Sequence, residues 1–276
     1  MRNHLIAISI TLQWLGPLVK SQTIPQPAAN VQVAYKLSST RVSLHEPIFM
    51  SMTIANNSGE VLNIDLGQDR KQAIYLSIQQ PDGRIVSASL PLHGGLSAVG
   101  LTSIASGHAY QQTVVLNEWY AFDAIGNYVI SVRLGQIGGQ QQLPELKRQT
   151  ALPIEIVERD PERLAEICGD LRITVESSSS YANMAEATLA LSYINDPIAV
   201  PYLQDVAPLH SGMVAPIAIK GLARIDGTSG VTALISLSRQ KTPEIRSLAR
   251  ASLAQVMLGT KDPSLKEKIR QALENR

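Results

Sequence analysis

One cysteine in 276 residues excludes an intramolecular disulfide and any Cys-rich zinc module. Aromatic residues are scarce at 4%, and charged residues make up only 17%. Lysine and arginine total 24 against 23 acids, a formal charge of +1. The chain therefore lacks the dense basic surface that displaces counterions from nucleic acid, and no nucleic-acid partner is expected. No Gly-x-x-x-x-Gly-Lys phosphate loop is present. The five histidines (His4, His45, His93, His108, His210) are dispersed, with no His-x-x-x-His spacing, so neither a metal site nor a cofactor is expected. What is abundant is apolar character: 45% hydrophobic residues supply a sizeable core, and the length allows roughly two domains.

The N-terminus has the layout of a secretory signal peptide. Arg2 and His4 precede an apolar run over 5–19, and Val19-Lys20-Ser21 offers small residues at the −3 and −1 positions of a cut. The run is shorter than the ~20 residues that cross a bilayer as a helix. The expectation is a signal peptide over 1–21 and export to the periplasm or beyond, without membrane insertion after cleavage. Polar residues 22–30 lead into the mature fold.

Residues 30–158 read as a β-domain. Ile48, Met50, Met52 and Ile54 alternate with more polar positions, which places them on one strand face, and Asn56-Asn57-Ser58-Gly59 supplies a turn. Ile74, Leu76 and Ile78 repeat the alternation before Pro81-Asp82-Gly83, as do Tyr128, Ile130, Val132 and Leu134. Short strands between turn signals predict an antiparallel β-sandwich. The stretch Leu116-Asn117-Glu118-Trp119-Tyr120 followed by Gly126-Asn127-Tyr128-Val129-Ile130 resembles the late strands of bacterial immunoglobulin-like domains, in which an aromatic pins a corner. The Gly- and Gln-rich run over 135–142 reads as a long hairpin loop within this domain, with the domain boundary at 158–160.

From 160 to 276 the pattern is helical. Asp160-Pro161 is a helix start, and Leu164, Ile167, Cys168, Leu171 and Val175 form one stripe. The sequence then matches itself at a shift of 31. The columns are Ala187/Ala218/Ala249, Leu191/Leu222/Leu253, Ile194/Ile225/Val256 and Leu203/Leu234/Leu265. Val200 and Val231 meet Asp262 in the last unit, a departure. A helix pair of ~30 residues cannot bury both faces alone, so such units stack. The segment Ile245-Arg246-Ser247-Leu248-Ala249-Arg250-Ala251-Ser252-Leu253-Ala254-Gln255-Val256 resembles the short bacterial form of the HEAT repeat. The resemblance implies an α-helical solenoid of about three repeats plus a capping helix over 161–175. Met184 and Ala215 stand where that motif has Arg246, so no continuous polar ladder is expected. The fold class is thus a multidomain α+β chain, an Ig-like sandwich followed by a HEAT-like solenoid.

Catalytic patterns are sparse. His93-Gly94-Gly95 and Ser97 lack the last glycine of a nucleophile elbow and read as a surface loop. Cys168, on the apolar stripe, reads as a buried small hydrophobe. The charge is unevenly spread. Between 160 and 205, eight acids, Glu186 and Asp196 among them, face only Arg163 and Arg172. Between 220 and 250, six bases oppose Asp226 and Glu244. Lys220/Arg224 and Arg246/Arg250 are i, i+4 pairs, each on one helical face.

The expected function is that of an exported, non-catalytic interaction or scaffold protein whose unidentified protein partner has an acidic surface. The candidate partner-binding residues are Lys220, Arg224, Arg246 and Arg250 with Tyr193 and Tyr202, and Tyr181 beside them. Two alternatives stand next to it. One is an enzyme accessory or cofactor-attachment protein, since short HEAT repeats also occur in proteins that attach chromophores to light-harvesting proteins. The other is a cell-wall or carbohydrate-binding module, which requires exposed Trp119 and Tyr120 and is disfavoured by burial of Trp119.

Overall fold

The structure is a computed structural model that describes residues 30–67, 70–88, 100–135, 148–210 and 212–274. The expected export segment over 1–21, the His93 and Ser97 loop and the run over 136–142 lie outside the described residues. Among the described residues the fold is mixed: an N-terminal β region, antiparallel except for one pairing, precedes seven helices.

Three strands, β1 (Val31–Leu37), β3 (Phe49–Asn56) and β8 (Ala109–Val115), form one sheet in the order β1-β3-β8. A second sheet runs β2 (Arg41–Ser43), β10 (Thr150–Val157), β9 (Gly126–Leu134), β5 (Ile74–Gln79), β6 (Ile85–Ala88). A short ladder joins β4 (Leu62–Asp65) to β7 (Leu101–Ile104). The parallel pairing is β2 with β10. The alternation read from the sequence sets the faces: in β3, Met50, Met52 and Ile54 are fully buried while Phe49, Ser51 and Thr53 are half-buried. On the facing sheet Leu76 sits opposite Val132 and Ile78 opposite Ile130, all buried. The inner residues of both sheets fall into one apolar cluster. Strand β10 pairs antiparallel with β9, so the intervening segment connects neighbours in one sheet.

The turn into β9 is pinned by aromatics. The Tyr128 hydroxyl donates to the Ala124 carbonyl at 2.9 Å. Phe122 stands edge-on to Tyr120 and Tyr128, with centroids 5.0 and 5.4 Å away. Gly126 has φ +133°, and a Cβ there would lie 2.8 Å from Cβ of Pro81, so only glycine fits the bend. Removing the hydroxyl in Tyr128→Phe leaves the rings packed and deletes one hydrogen bond. A loss of about 1 kcal/mol, read from the urea midpoint, is expected.

The helices are α1 (Pro161–Ser177), α2 (Tyr181–Ser192), α3 (Val200–Val206), α4 (Val214–Arg224), α5 (Thr228–Leu237), α6 (Pro243–Gly259) and α7 (Pro263–Glu274). Asp160 caps α1 by accepting from the Arg163 amide at 3.1 Å, as the Asp-Pro start predicts. The 31-residue columns are the buried seams: Ala187, Ala218, Ala249, Leu191, Leu222 and Leu253 all line a second apolar cluster, separate from that of the sheets. Helices α2, α4 and α6 pack one on the next, and α3, α5 and α7 do likewise; α1 covers α2 and α3. Asp262 departs from its column because it caps α7, accepting from the amides of Ser264 (2.8 Å) and Leu265 (3.3 Å). Gly221 permits the close approach of α4 to α2: a Cβ there would lie 2.7 Å from Cβ and 2.8 Å from Cα of Ser192. No described helix is long and apolar enough to cross a membrane.

Candidate functional site

Three ion-pair clusters fasten the β region to the first helices. The chain leaves β10 through Arg159, whose guanidinium grips the buried Asp196 carboxylate, Nε to Oδ2 at 2.5 Å and Nη2 to Oδ1 at 3.0 Å. That fork, ahead of an opposing desolvation, holds the Asp196 carboxyl below the usual carboxylate range. One helical turn on, Arg163 makes the same two-pronged contact with buried Glu46 at 2.7 and 2.8 Å, while Glu46 also accepts from the Ser43 amide. The third cluster is built on Lys71, between β4 and β5. Its ammonium lies 2.7 Å from Glu118 and 3.0 Å from Glu186 of α2. Burial opposes the lysine charge, but the two carboxylates outweigh it and raise the Lys71 pKa above its ordinary value.

Beside these clusters lies a cleft of about 190 Å³. The β side contributes His45, Asn117, Phe122 and Asp123; the helical side contributes Tyr193, Asn195 and Arg224. The Arg224 guanidinium stacks over the Tyr193 ring, 4.1 Å from its centroid. Arg224 also borders a second concavity of about 430 Å³ between the α4/α5 and α6/α7 pairs. Leu222, Ile225, Val231, Val256 and Leu265 line that groove together with Lys220, Asp226, Gln255 and Thr260.

The sequence-predicted residues divide between these places. Lys220 is exposed at the groove, its ammonium held below the usual lysine range by partial burial and then by the charge of Arg224. Tyr193 is half-buried under Arg224, and burial raises its phenol pKa. Tyr202 is half-buried against the helical core. Tyr181 is exposed, edge-on to His210 at 6.2 Å. Arg246 is exposed and reaches the Gln240 carbonyl only at 3.5 Å, whereas Arg250 donates to the Leu273 carbonyl.

The four bases do not form the single face expected of them. In the 31-residue register Lys220 and Arg224 align with Ala251 and Gln255, not with Arg246 and Arg250. At about 100° per residue, the five positions from Arg246 to Ala251 turn the helix by about 140°. Arg246 and Arg250 therefore point away from the groove that Lys220 and Arg224 border.

The charge gradient is also partly an effect of counting along the chain. Glu186 and Asp196 meet Lys71 and Arg159, which lie before the helices, and Glu176 and Asp205 both approach Arg172. Trp119 is buried at 6% exposure, so the exposed ring required by a carbohydrate-binding reading is not there. Cys168 is fully buried, and burial pushes its thiol up to about 12, which keeps it protonated at neutral pH. Among the described residues, no three His, Cys, Asp or Glu side chains are placed to hold a metal ion. Sequence reasoning missed Lys71, Glu118 and Glu46, whose partners are distant in the chain, and His45, which only the fold brings to the cleft; only the Asp160-Pro161 helix start marked the junction.

No protein-family model and no curated protein matches the chain. Solved structures show local likeness. A β-glucosidase from Listeria innocua in complex with glucose is 14% identical, with 47% of this chain and 16% of that one covered and a TM-score of 0.29. The CARDB domain of a Pyrococcus furiosus protein in complex with di-metal ions is 10% identical, with 46% and 87% covered and a TM-score of 0.26. The sporulation control protein Spo0M of Bacillus subtilis is 14% identical, with 52% and 56% covered and a TM-score of 0.27. The chain thus spans about a sixth of the glucosidase it aligns with.

Proposed function

We propose that the protein is an exported, non-catalytic interaction module, an immunoglobulin-like sandwich carrying a short HEAT-like stack that docks a partner protein. The sheet order, the shared core and the Tyr128 corner bond support the sandwich reading. The 31-residue period and the layered packing of α2, α4 and α6 support the repeat reading. The N-terminal apolar run with its small-residue cut supports export.

The observation that carries the function is the groove between the last two helix pairs, apolar in its floor and bordered by Lys220 and Arg224. Stacked helix pairs act through such concave surfaces, and the basic rim suits an acidic partner face. Lys220 is exposed, so Lys220→Glu reverses the rim charge without disturbing the core. Capture of the partner from the extracytoplasmic fraction is expected to fall at least about tenfold, equivalent to about 1.4 kcal/mol. Undiminished capture by a variant with native helix content would refute the groove as the docking surface.

A further inference from the structure

The cleft beside the junction contains a cation that the fold leaves without an acid. Arg159 and Arg163, at the same junction, each hold a carboxylate through two hydrogen bonds. Arg224 is half-buried where those two are exposed, yet it donates only to the Ser192 carbonyl, the Ser192 hydroxyl and the Tyr193 hydroxyl, each at 3.3 Å. These acceptors are neutral, the distances are long, and no ion pair of Arg224 occurs among the described residues. A partly desolvated guanidinium without a counter-charge gains a charge-assisted pair of hydrogen bonds once an anion enters.

The other walls offer donors. Asn117 Oδ1 accepts from the Ile48 amide at 2.7 Å, an orientation that leaves its NH2 group as the free end of the side chain. Among the described residues the His45 imidazole and the Asn195 amide make no hydrogen bond, and both line the cleft. His45 sits at φ +72°, a left-handed conformation that non-glycine residues adopt at a cost. The acids nearby are accounted for: Asp196 is held by Arg159 and Glu118 by Lys71, while Asp123 is exposed and outside ion-pair distance of Arg224.

We propose that this cleft is a carboxylate-binding site, in which the Arg224 fork takes the carboxylate and the buried Phe122 ring packs on the carbon that carries it. The volume, about 190 Å³, is below the roughly 300–1,000 Å³ of drug-sized ligand sites, so the occupant is a side-chain-sized group. The apolar wall favours a carbon-borne carboxylate over inorganic phosphate. That group is either a free small carboxylic acid or the acidic end of a polypeptide.

The test is calorimetric titration of the full chain at low salt with glutarate, its neutral diamide glutaramide, inorganic phosphate, and an acetylated tetrapeptide ending in glutamate. Saturable glutarate binding without glutaramide binding is expected, weakened at least about tenfold in Arg224→Gln and severalfold in His45→Gly, with helix content unchanged. Glycine suits the left-handed backbone at 45, and His45 does not line the groove, so failure here is separable from failure of partner docking. Arg224→Lys keeps the charge and removes the fork; it serves if the glutamine variant does not fold, and is expected to bind glutarate at least about threefold more weakly. A peptide that binds more tightly than glutarate assigns the site to a polypeptide end, and the reverse assigns it to a free acid. No glutarate binding up to about 10 mM, equal binding of phosphate or glutaramide, or undiminished binding by either Arg224 variant overturns the proposal.

Discussion

Lys71→Met is expected to destabilise the protein by about 3–5 kcal/mol, because it strips the ammonium from a carboxylate that stays buried. The Glu118 side chain is 3% exposed and Lys71 6%, so water does not solvate the acid once its partner is gone. Glu186 is less affected, since its side chain is 43% exposed. The double variant Lys71→Met/Glu118→Leu is expected to recover most of the loss, because a buried ion pair exchanged for apolar groups of similar size is often neutral. Urea unfolding of the two variants beside wild type makes the comparison, and a single variant as stable as wild type would remove the pair from the account of the junction.

The same residue has an alkaline signature. The folded pKa of Lys71 lies above its ordinary 10.5, so its stabilisation is complete below that pH and is lost as pH rises through the folded value. The stability gap between wild type and Lys71→Met is therefore expected to narrow above about pH 10.5.

Gly221→Val is expected to cost about 3 kcal/mol by prying α4 off α2. Even alanine is informative at this position. Intrinsic propensity favours alanine over glycine inside a helix by up to about 1 kcal/mol, yet its Cβ would meet the Ser192 backbone at 2.8 Å. Backbone does not swing aside as a side-chain tip does, so the clash wins and Gly221→Ala should destabilise. Gly169 in α1 is the control: nothing lies within 4 Å of a Cβ built there, and Gly169→Ala should stabilise by about 0.5–1 kcal/mol. Thermal unfolding followed at 222 nm reads both signs, and stabilisation by Gly221→Ala would contradict the close packing.

The fold is legible in the sequence wherever burial is periodic. Met50, Met52 and Ile54 announce the inner face of β3 by alternation, and the leucine columns at 191, 222 and 253 announce the helical seam by their spacing. The junction is not periodic. Lys71 sits in a turn where a lysine is ordinarily solvated, and its partners at 118 and 186 belong to other elements. The i, i+4 pairs at 220/224 and 246/250 stand out in the sequence, but their relative phase emerges only when the helices are laid in register. Residue type alone marks Tyr193 as an interaction residue; its place under Arg224 depends on the approach of α2 to α4.

The parallel β2–β10 pairing has a mechanical consequence. The helical half hangs from the sheets by β10, which is laddered on one side to β9 and on the other to β2. The first turn of α1 is also tied back to the end of β2: Ser43 Oγ accepts from the Asp160 amide at 2.8 Å, and Glu46 grips Arg163. Hydrogen bonds run across the strands, so tension drawn along β10 loads both rows of bonds at once and does not unzip them one by one. A pull on the helical end thus reaches the sheet as shear over two ladders, the geometry in which a strand holds longest.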